Sequence, residues 1–461
     1  MRGEPFGEST VKRGRNPNSS FSHDATNATL IEDLANVGGP TRLSRTLGLQ
    51  LNRHSQYIGH TTDFEPTLIN LSSNDAQNES TSSRGAVRKV QDGVSFLLIT
   101  DSTTRGYEQQ EHDIRAVEAL VAPHGRKLID LFFRIVHPSF PICQKHVFIE
   151  KYERDYREFA PPLLATVYLL AINWWNHSQE LASFPRPNTN ALEKLVRSSL
   201  ADSMCRPKLS TVEAALLLAQ IPGCSQWTST AQLVAMGQEL GLHLDCSSWD
   251  IPPWEKGMRK RLSWGLYLQD KWGSLIHGRP SHISPSNWAV RTLTINDFPD
   301  VDWDEGNAEE KNDCETGRII FMRFVQLTGI LTEILDAFYS LVAMQKIENS
   351  GSQGAQMVLA QAKPIQLKLK EWYAGLPACV RLESLSSGGP PPSRPSSVGY
   401  LHLAYFAAEI TLHRRIIGSI DASPTTVDPY LEHICRSAAK AHELCSHWHT
   451  RLAPLGDVPR A

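Results

Sequence analysis

Apolar residues recur with a helical period from Ile114 to the end of this chain. Leu128, Leu131, Phe132 and Ile135 stand at i, i+3, i+4 and i+7, one face of a helix. His137-Pro138 closes that run, because proline lacks a donor and restricts the residue before it, and 139–141 is expected as a turn. Pro161-Pro162 can open a helix, and Leu163 to Trp175 is apolar on nearly every face, which predicts a central core helix. Residues 191–203 continue the pattern until Arg206-Pro207. Ser210 and Glu213 have capping-box spacing and predict a helix start, with a stop at Pro222-Gly223. Ser229 or Thr230 is the expected cap of the next helix, whose stripe is Leu233, Met236 and Leu240 and whose left-handed stop is Gly241. Trp254 to Ile276 predicts a long helix ended by Gly278 and Pro280, and Phe321 to Met344, residues 364–374, Tyr400 to Ile420 and Leu431 to Trp448 complete the series.

No alternating strand series and no fixed-period repeat interrupts this pattern. Val94 to Thr100 is the exception, an apolar, partly β-branched run that reads as a strand or a tethering segment. The fold class is therefore all-α, roughly ten helices preceded by a disordered N-terminal arm. Residues 1–90 are rich in Ser, Thr, Asn, Gly and Arg and are expected to be mostly disordered, having too little apolar surface to offset ordering entropy. Residues 91–119 read as a docking segment or linker, 120–385 as the main helical domain, 386–398 as a Ser/Gly/Pro-rich loop, and 399–461 as C-terminal helices of the same body.

Composition narrows the function. The 461 residues are 41% hydrophobic and 21% charged with a net charge of −3, unlike the strongly basic balance of a free-standing nucleic-acid binder. No run approaches the ~20 apolar residues of a membrane span, and no apolar secretion core stands near Met1. Cytosol or nucleus is expected, where thiols stay reduced. No two of the eight cysteines have the short gap that zinc sites favour. Cys435 and Cys445 sit among His433, His442, His447 and His449, but on one helix these would point in several directions, so no metal site is expected. The basic cluster Val11-Lys12-Arg13-Gly14-Arg15 reads as a solvated tail. No G-x-S-x-G, G-x-x-x-x-G-K-[ST] or G-x-G-x-x-G occurs, so an enzyme is not expected. The tryptophans read as core packing, some of them lining a cavity between helices.

Four segments taken in order carry a resemblance. His137-Pro138-Ser139-Phe140-Pro141-Ile142 matches an "HPxFPI" turn. Ala235 to Asp245, with Gly241, Leu242, His243 and Asp245, matches "A…LGLHxD". Glu255 to Asp270, with Arg259, Arg261, Trp264 and Asp270, matches "E…RRRLWWxLYxxD", Ser263 replacing the first tryptophan. Gly278-Arg279-Pro280 with Ile283 matches "GRPxxI". Trp372 to Pro377 and Leu401 to Arg415 add weaker echoes. Together they resemble the middle homology region of fungal zinc-cluster (Zn2Cys6) transcription factors over residues 120–461. Arg53 to Gly59 and Val94 to Gly106 are similar to the TamA-like, nitrogen-regulation branch.

The resemblance implies a nuclear regulator of RNA polymerase II genes, with this chain as the effector-response module, and a role in nitrogen metabolism. It implies other transcription factors or coactivators as partners, and a small-molecule effector, with no membrane. The family's C-x2-C-x6-C zinc cluster does not occur here, so zinc and direct DNA contact would need an upstream cluster or a partner. A coactivator or scaffold recruited by another DNA-bound factor is the alternative. An all-α metabolite-binding protein or enzyme is a further one.

Single residues read structurally. Arg259, Lys260 and Arg261 could touch phosphates, but nearby acids favour one on the solvent face and another paired with Asp270 or Glu255. His243 and Asp245 suit a helix end. Arg279, with its planar fork of donors, is expected in a buried pair with a carboxylate such as Asp270.

Overall fold

Val90, Phe96 and Leu98 project from adjacent strands onto Leu47, Cys246, Trp249 and Ile251, forming a small core of their own. The Val94–Thr100 run agrees with its reading as a strand or tether, but the strands it joins lie at 53–57, 79–82 and 85–91, almost all within the residues expected to be disordered, which is the first departure from the sequence reading. The computed structural model describes residues 46–50, 52–63, 79–82, 84–221, 227–298, 308–382 and 397–420. Strands β1 (Arg53–Tyr57), β2 (Glu79–Ser82), β3 (Gly85–Gln91) and β4 (Val94–Thr100) pair antiparallel in the order β1-β4-β3-β2. The β3–β4 hairpin turns at Asp92-Gly93, where Gly93 takes φ +78°. Strands β1 and β2 are short and mostly polar (RHSQY and ESTS), so they show no alternation. They are ordered by pairing with neighbouring strands in a sheet centred on the apolar β4, a tertiary effect that overrides local propensity. β4 is thus an interior strand, and the segment after it is already helical at Tyr107.

Thirteen α-helices follow among the described residues: α1 (Tyr107–Val121), α2 (Gly125–Leu131), α3 (Lys145–Arg154), α4 (Pro161–Ile172), α5 (Gln179–Ala182), α6 (Thr189–Ser203), α7 (Leu209–Leu218), α8 (Trp227–Glu239), α9 (Pro253–His277), α10 (Ala308–Phe338), α11 (Leu341–Asn349), α12 (Gly354–Ala374) and α13 (Val398–Ile420). The chain is all-α in class, with the sheet on its flank. Every residue of α4 is buried, as its all-round apolar pattern requires, and it packs on α1, α2, α6 and α7. Helix α9 packs on α7, α8 and α10, and α10 on α12 and α13. No single helix among the described residues is long and apolar enough to cross a membrane.

Several helix ends differ from the local expectation. Helix α7 starts at Leu209, with Thr211 Oγ1 accepting the Lys208 N–H at 3.2 Å, while Ser210 and Glu213 lie inside the helix and are buried. Helix α8 begins at Trp227, before Ser229 and Thr230. The single helix expected over Phe321 to Met344 is two, because Ser340 caps a new start by accepting the Ala343 N–H at 3.2 Å. The Val11–Arg15 cluster, Pro222-Gly223, most of the 386–398 loop, the Leu431–Trp448 helix, and Cys224, Cys435 and Cys445 lie outside the described residues.

Candidate functional site

Helix α9 carries the basic triad, and all three residues are buried. Glu255 enters the first turn of α9, where a carboxylate suits the positive end of the helix dipole. Its oxygens accept the Arg259 Nε at 3.0 Å and the backbone N–H groups of Leu47 at 3.0 Å and Gly48 at 3.1 Å. Arg259 also donates to Leu240 O at 2.9 Å, and its guanidinium lies 5.3 Å from the Trp249 ring centre. Lys260 pairs with Asp297 at 2.7 Å. Arg261 donates to Gln144 Oε1 at 2.9 Å and to the backbone of Asp297 and Cys143, and it faces Phe298. No member of the triad stands on the solvent face, contrary to the sequence expectation. Each charge faces inward because a buried carboxylate or carbonyl is in reach, which offsets its desolvation.

Asp270, at the other end of α9, is fully buried and accepts from the backbone N–H groups of His282 at 2.9 Å and Ile283 at 3.0 Å, and from the Ser281 hydroxyl. His282 Nδ1 lies 3.0 Å from it, and the ring rests on Trp227 with centroids 4.0 Å apart. Lys271 donates to Ile283 O at 2.6 Å. The expected Arg279–Asp270 pair does not form. Gly278 takes φ +62°, the chain reverses, and Arg279 is carried outward while its backbone stays bound to Ser274, the N–H donating to Ser274 O at 3.1 Å and the carbonyl accepting from the Ser274 hydroxyl. The turn that exposes Arg279 and Pro280 is the one that brings residues 281–283 back to the carboxylate.

The remaining motif residues are scattered over this framework. Gly241 takes φ +71° where a Cβ would stand 2.9 Å from the Phe96 ring, with Leu242 buried beside it. Asp245 pairs with Arg291 at 2.7 Å, and His243 meets the Tyr57 ring edge-on, so the two do not form one acid–base or metal centre. Trp264 donates its indole N–H to Arg291 O at 2.9 Å. His137 Nε2 lies 3.0 Å from Cys143 O, and burial pushes its imidazole down to about 3. Pro138 presses on α10, Pro141 is buried, and Phe140 meets Phe321 edge-on at 5.6 Å. Burial pushes the Glu213 carboxyl up to about 7.

A cavity of about 510 Å³ lies between the His137–Pro141 turn, α9, α10 and α13. Phe140, Leu268, Trp272, Phe321, Phe324 and Tyr400 supply most of its apolar wall. A second cavity of about 160 Å³, between α6, α7 and α8, shares Ala219 and Gln269 with it. Of the motif segments, His137 to Ile142 contributes Ser139 and Phe140 to the larger cavity, and Glu255 to Asp270 contributes Gly265, Leu268 and Gln269. Signals for it were present: Trp272 on the long helix, and Gly273 beside it. Among the described residues no three His, Cys, Asp or Glu side chains converge on a metal position. Cys143 and Cys246 are buried free thiols, so these residues do not fit a zinc cluster.

The sequence profile of the fungal specific transcription factor domain matches residues 129–374. The chain is 35% identical to the transcriptional activator protein DAL81 of Saccharomyces cerevisiae over 85% of its own length and 43% of that protein. It is 26% identical to the acetamidase regulatory protein of Aspergillus fumigatus over 66% of its length and 37% of that protein. It is 25% identical to the nitrogen assimilation transcription factor nirA of Emericella nidulans over 54% of its length and 29% of that protein. The chain thus spans less than half the length of each of these relatives. No solved structure matches it. The match covers more than half of the 461 residues, along the helices that hold the four motifs, and the protein belongs to the fungal specific transcription factor domain family.

Proposed function

We propose that this chain is the regulatory, effector-response module of a nuclear transcriptional regulator of RNA polymerase II genes, acting in nitrogen metabolism and without catalysis. The observation that carries the reading is the cavity, built beside an α9 whose Arg259, Lys260, Arg261 and Asp270 are all paired inside the fold. A ligand or partner that changes the packing there would move the His137–Pro141 turn, α9, α10 and α13 together. The names of the relatives support the target class: an activator, a nitrogen assimilation factor and an acetamidase regulator. Fusion of the full chain to a heterologous DNA-binding domain tests the reading. Reporter transcription that changes with nitrogen source supports it, and an inert fusion that is folded and nuclear refutes it.

The inward-facing triad favours a second reading, a coactivator recruited by another DNA-bound factor. Arg259, Lys260 and Arg261 offer no phosphate-binding surface, so DNA contact through this triad is not available. Pull-down of a DNA-binding partner that survives nuclease treatment supports this form, and a partner lost with the DNA counts against it.

A further inference from the structure

Among the described residues, none of the side chains lining the 510 Å³ cavity is a Lys, Arg, Asp or Glu. The wall is aromatic. Trp272 and Phe324 lie 5.2 Å apart, Tyr400 meets Phe324 edge-on at 5.2 Å, and Phe140 closes against Phe321. The Trp272 indole N–H is occupied by Thr328 Oγ1 at 2.8 Å, so the ring presents apolar surface. Polar groups on the inner wall are few and uncharged: the Gln220 and Gln269 carboxamides, the Tyr400 hydroxyl, and the hydroxyls of Ser139 and Ser397, which bond to one another. His277 stands exposed, and Ile276 and Tyr400, 76% and 55% exposed, form the open edge. The volume falls within the roughly 300–1,000 Å³ of small-molecule sites.

Gly273 adds an independent observation. It is buried within α9, one turn before its last residue, where glycine costs up to about 1 kcal/mol relative to alanine. The other buried glycines of this region admit a neighbour: a Cβ on Gly237 would stand 2.5 Å from Leu266, and one on Gly265 would stand 3.3 Å from Phe140 and Leu216. A Cβ on Gly273 would meet nothing within 4 Å. Among the described residues no protein atom uses the space that the missing side chain leaves.

We propose that this cavity binds an uncharged, largely apolar small molecule of aromatic bulk, with at most a hydroxyl, carbonyl or amide as its polar head. The proposal rests on the effector-response reading and specifies the ligand class. An ionised carboxylate, a free amino acid or ammonium would leave water for a wall whose described residues offer no Lys, Arg, Asp or Glu as counter-charge, which is unfavourable. An aromatic ligand stacks on Trp272 and Phe324, and its polar head reaches the carboxamides. Occupancy ties the His137–Pro141 turn to α9, α10 and α13.

The test is equilibrium binding of the full chain to N-phenyl-1-naphthylamine, an uncharged fluorophore, beside 8-anilinonaphthalene-1-sulfonate, the same ring system with a sulfonate. The neutral probe is expected to bind at one saturable site, at least roughly tenfold tighter than the sulfonate. Gly273→Met fills the void and is expected to weaken the neutral probe by roughly tenfold or more, with the circular dichroism spectrum unchanged. If methionine unfolds the chain, Ile276→Lys carries the test. That position is exposed at the mouth, and an ammonium there is expected to shift preference toward the sulfonate. Equal affinity of the native chain for both probes overturns the proposal. So does undiminished neutral-probe binding by folded Gly273→Met, or an unshifted preference in Ile276→Lys. The regulatory reading fails separately: an inert reporter fusion with the predicted probe binding refutes that reading alone, and a responsive fusion with no neutral-probe binding refutes the ligand class alone.

Discussion

Pro138 and Gly317 meet backbone to backbone, so closely that a Cβ on Gly317 would stand 2.0 Å from the Pro138 carbonyl oxygen. The contact seats the His137–Pro141 turn on α10 and places Phe140 on Phe321, one turn along from Gly317. Gly317→Ala forces the two apart and is expected to cost about 1–3 kcal/mol in urea unfolding. Gly329→Ala on the same helix meets nothing within 4 Å and is expected to be neutral or to stabilise by up to about 1 kcal/mol.

Glu255 holds the 46–50 segment to α9 through two backbone N–H groups while it neutralises Arg259. Glu255→Ala leaves a buried guanidinium unpaired and is expected to cost about 3–5 kcal/mol in unfolding free energy. Hydrogen exchange gives the local readout: the Leu47 and Gly48 amides exchange faster in the variant, and unchanged protection there contradicts the assignment.

Asp270 and Arg279 are expected to behave oppositely, although only nine positions apart in sequence. Asp270→Asn removes the charge that three donors from residues 281–282 and the Ile283 N–H share, and is expected to cost about 2–4 kcal/mol. Loosening of His282 from Trp227 should also change tryptophan fluorescence. Arg279→Ala, at an exposed position, is expected to stay within about 0.5 kcal/mol of the native chain.

His137 and Glu213 couple stability to pH with opposite sign. Burial raises Glu213 from 4.5 to about 7, so its contribution is full below pH 4.5 and is lost as pH rises toward 7. Burial lowers His137 from 6.5 to about 3, so its contribution is full above pH 6.5 and is lost as pH falls toward 3. Between pH 4.5 and 6.5 the two slopes, each about 1.4 kcal/mol per pH unit, oppose one another. Glu213→Gln removes one of them. The variant is expected to lose stability on acidification from pH 6.5 to 5 more steeply than the native chain, by about 1.4 kcal/mol per unit in denaturant titrations. Parallel profiles would refute the assignment.

Much of the helical body was legible because periodicity is a local property. Pro161-Pro162 does open α4, Gly241 and Gly278 do take positive φ, and Trp254 to Ile276 is α9 to within a residue at each end. The Glu255–Arg259 pair could be anticipated because its members stand one helical turn apart. The strands β1 and β2 could not, since their polar sequences carry no alternation and their order comes from a sheet partner. Ser210 was misread as a cap because capping-box spacing also occurs one residue inside a helix that Lys208 and Thr211 already start.

By itself, then, the sequence determined the all-α class, the chief helix boundaries and, through four ordered motifs, the resemblance that the family match agrees with. Only the tertiary structure decided which way the charges face and where space is left. Leu47 and Glu255 are 208 positions apart, and Pro138 meets Gly317 across a comparable gap, so no local pattern encodes either contact. A buried charge goes where a distant partner can offset its desolvation, and a cavity exists where several remote helices fail to fill a common volume. Both are properties of the packed whole.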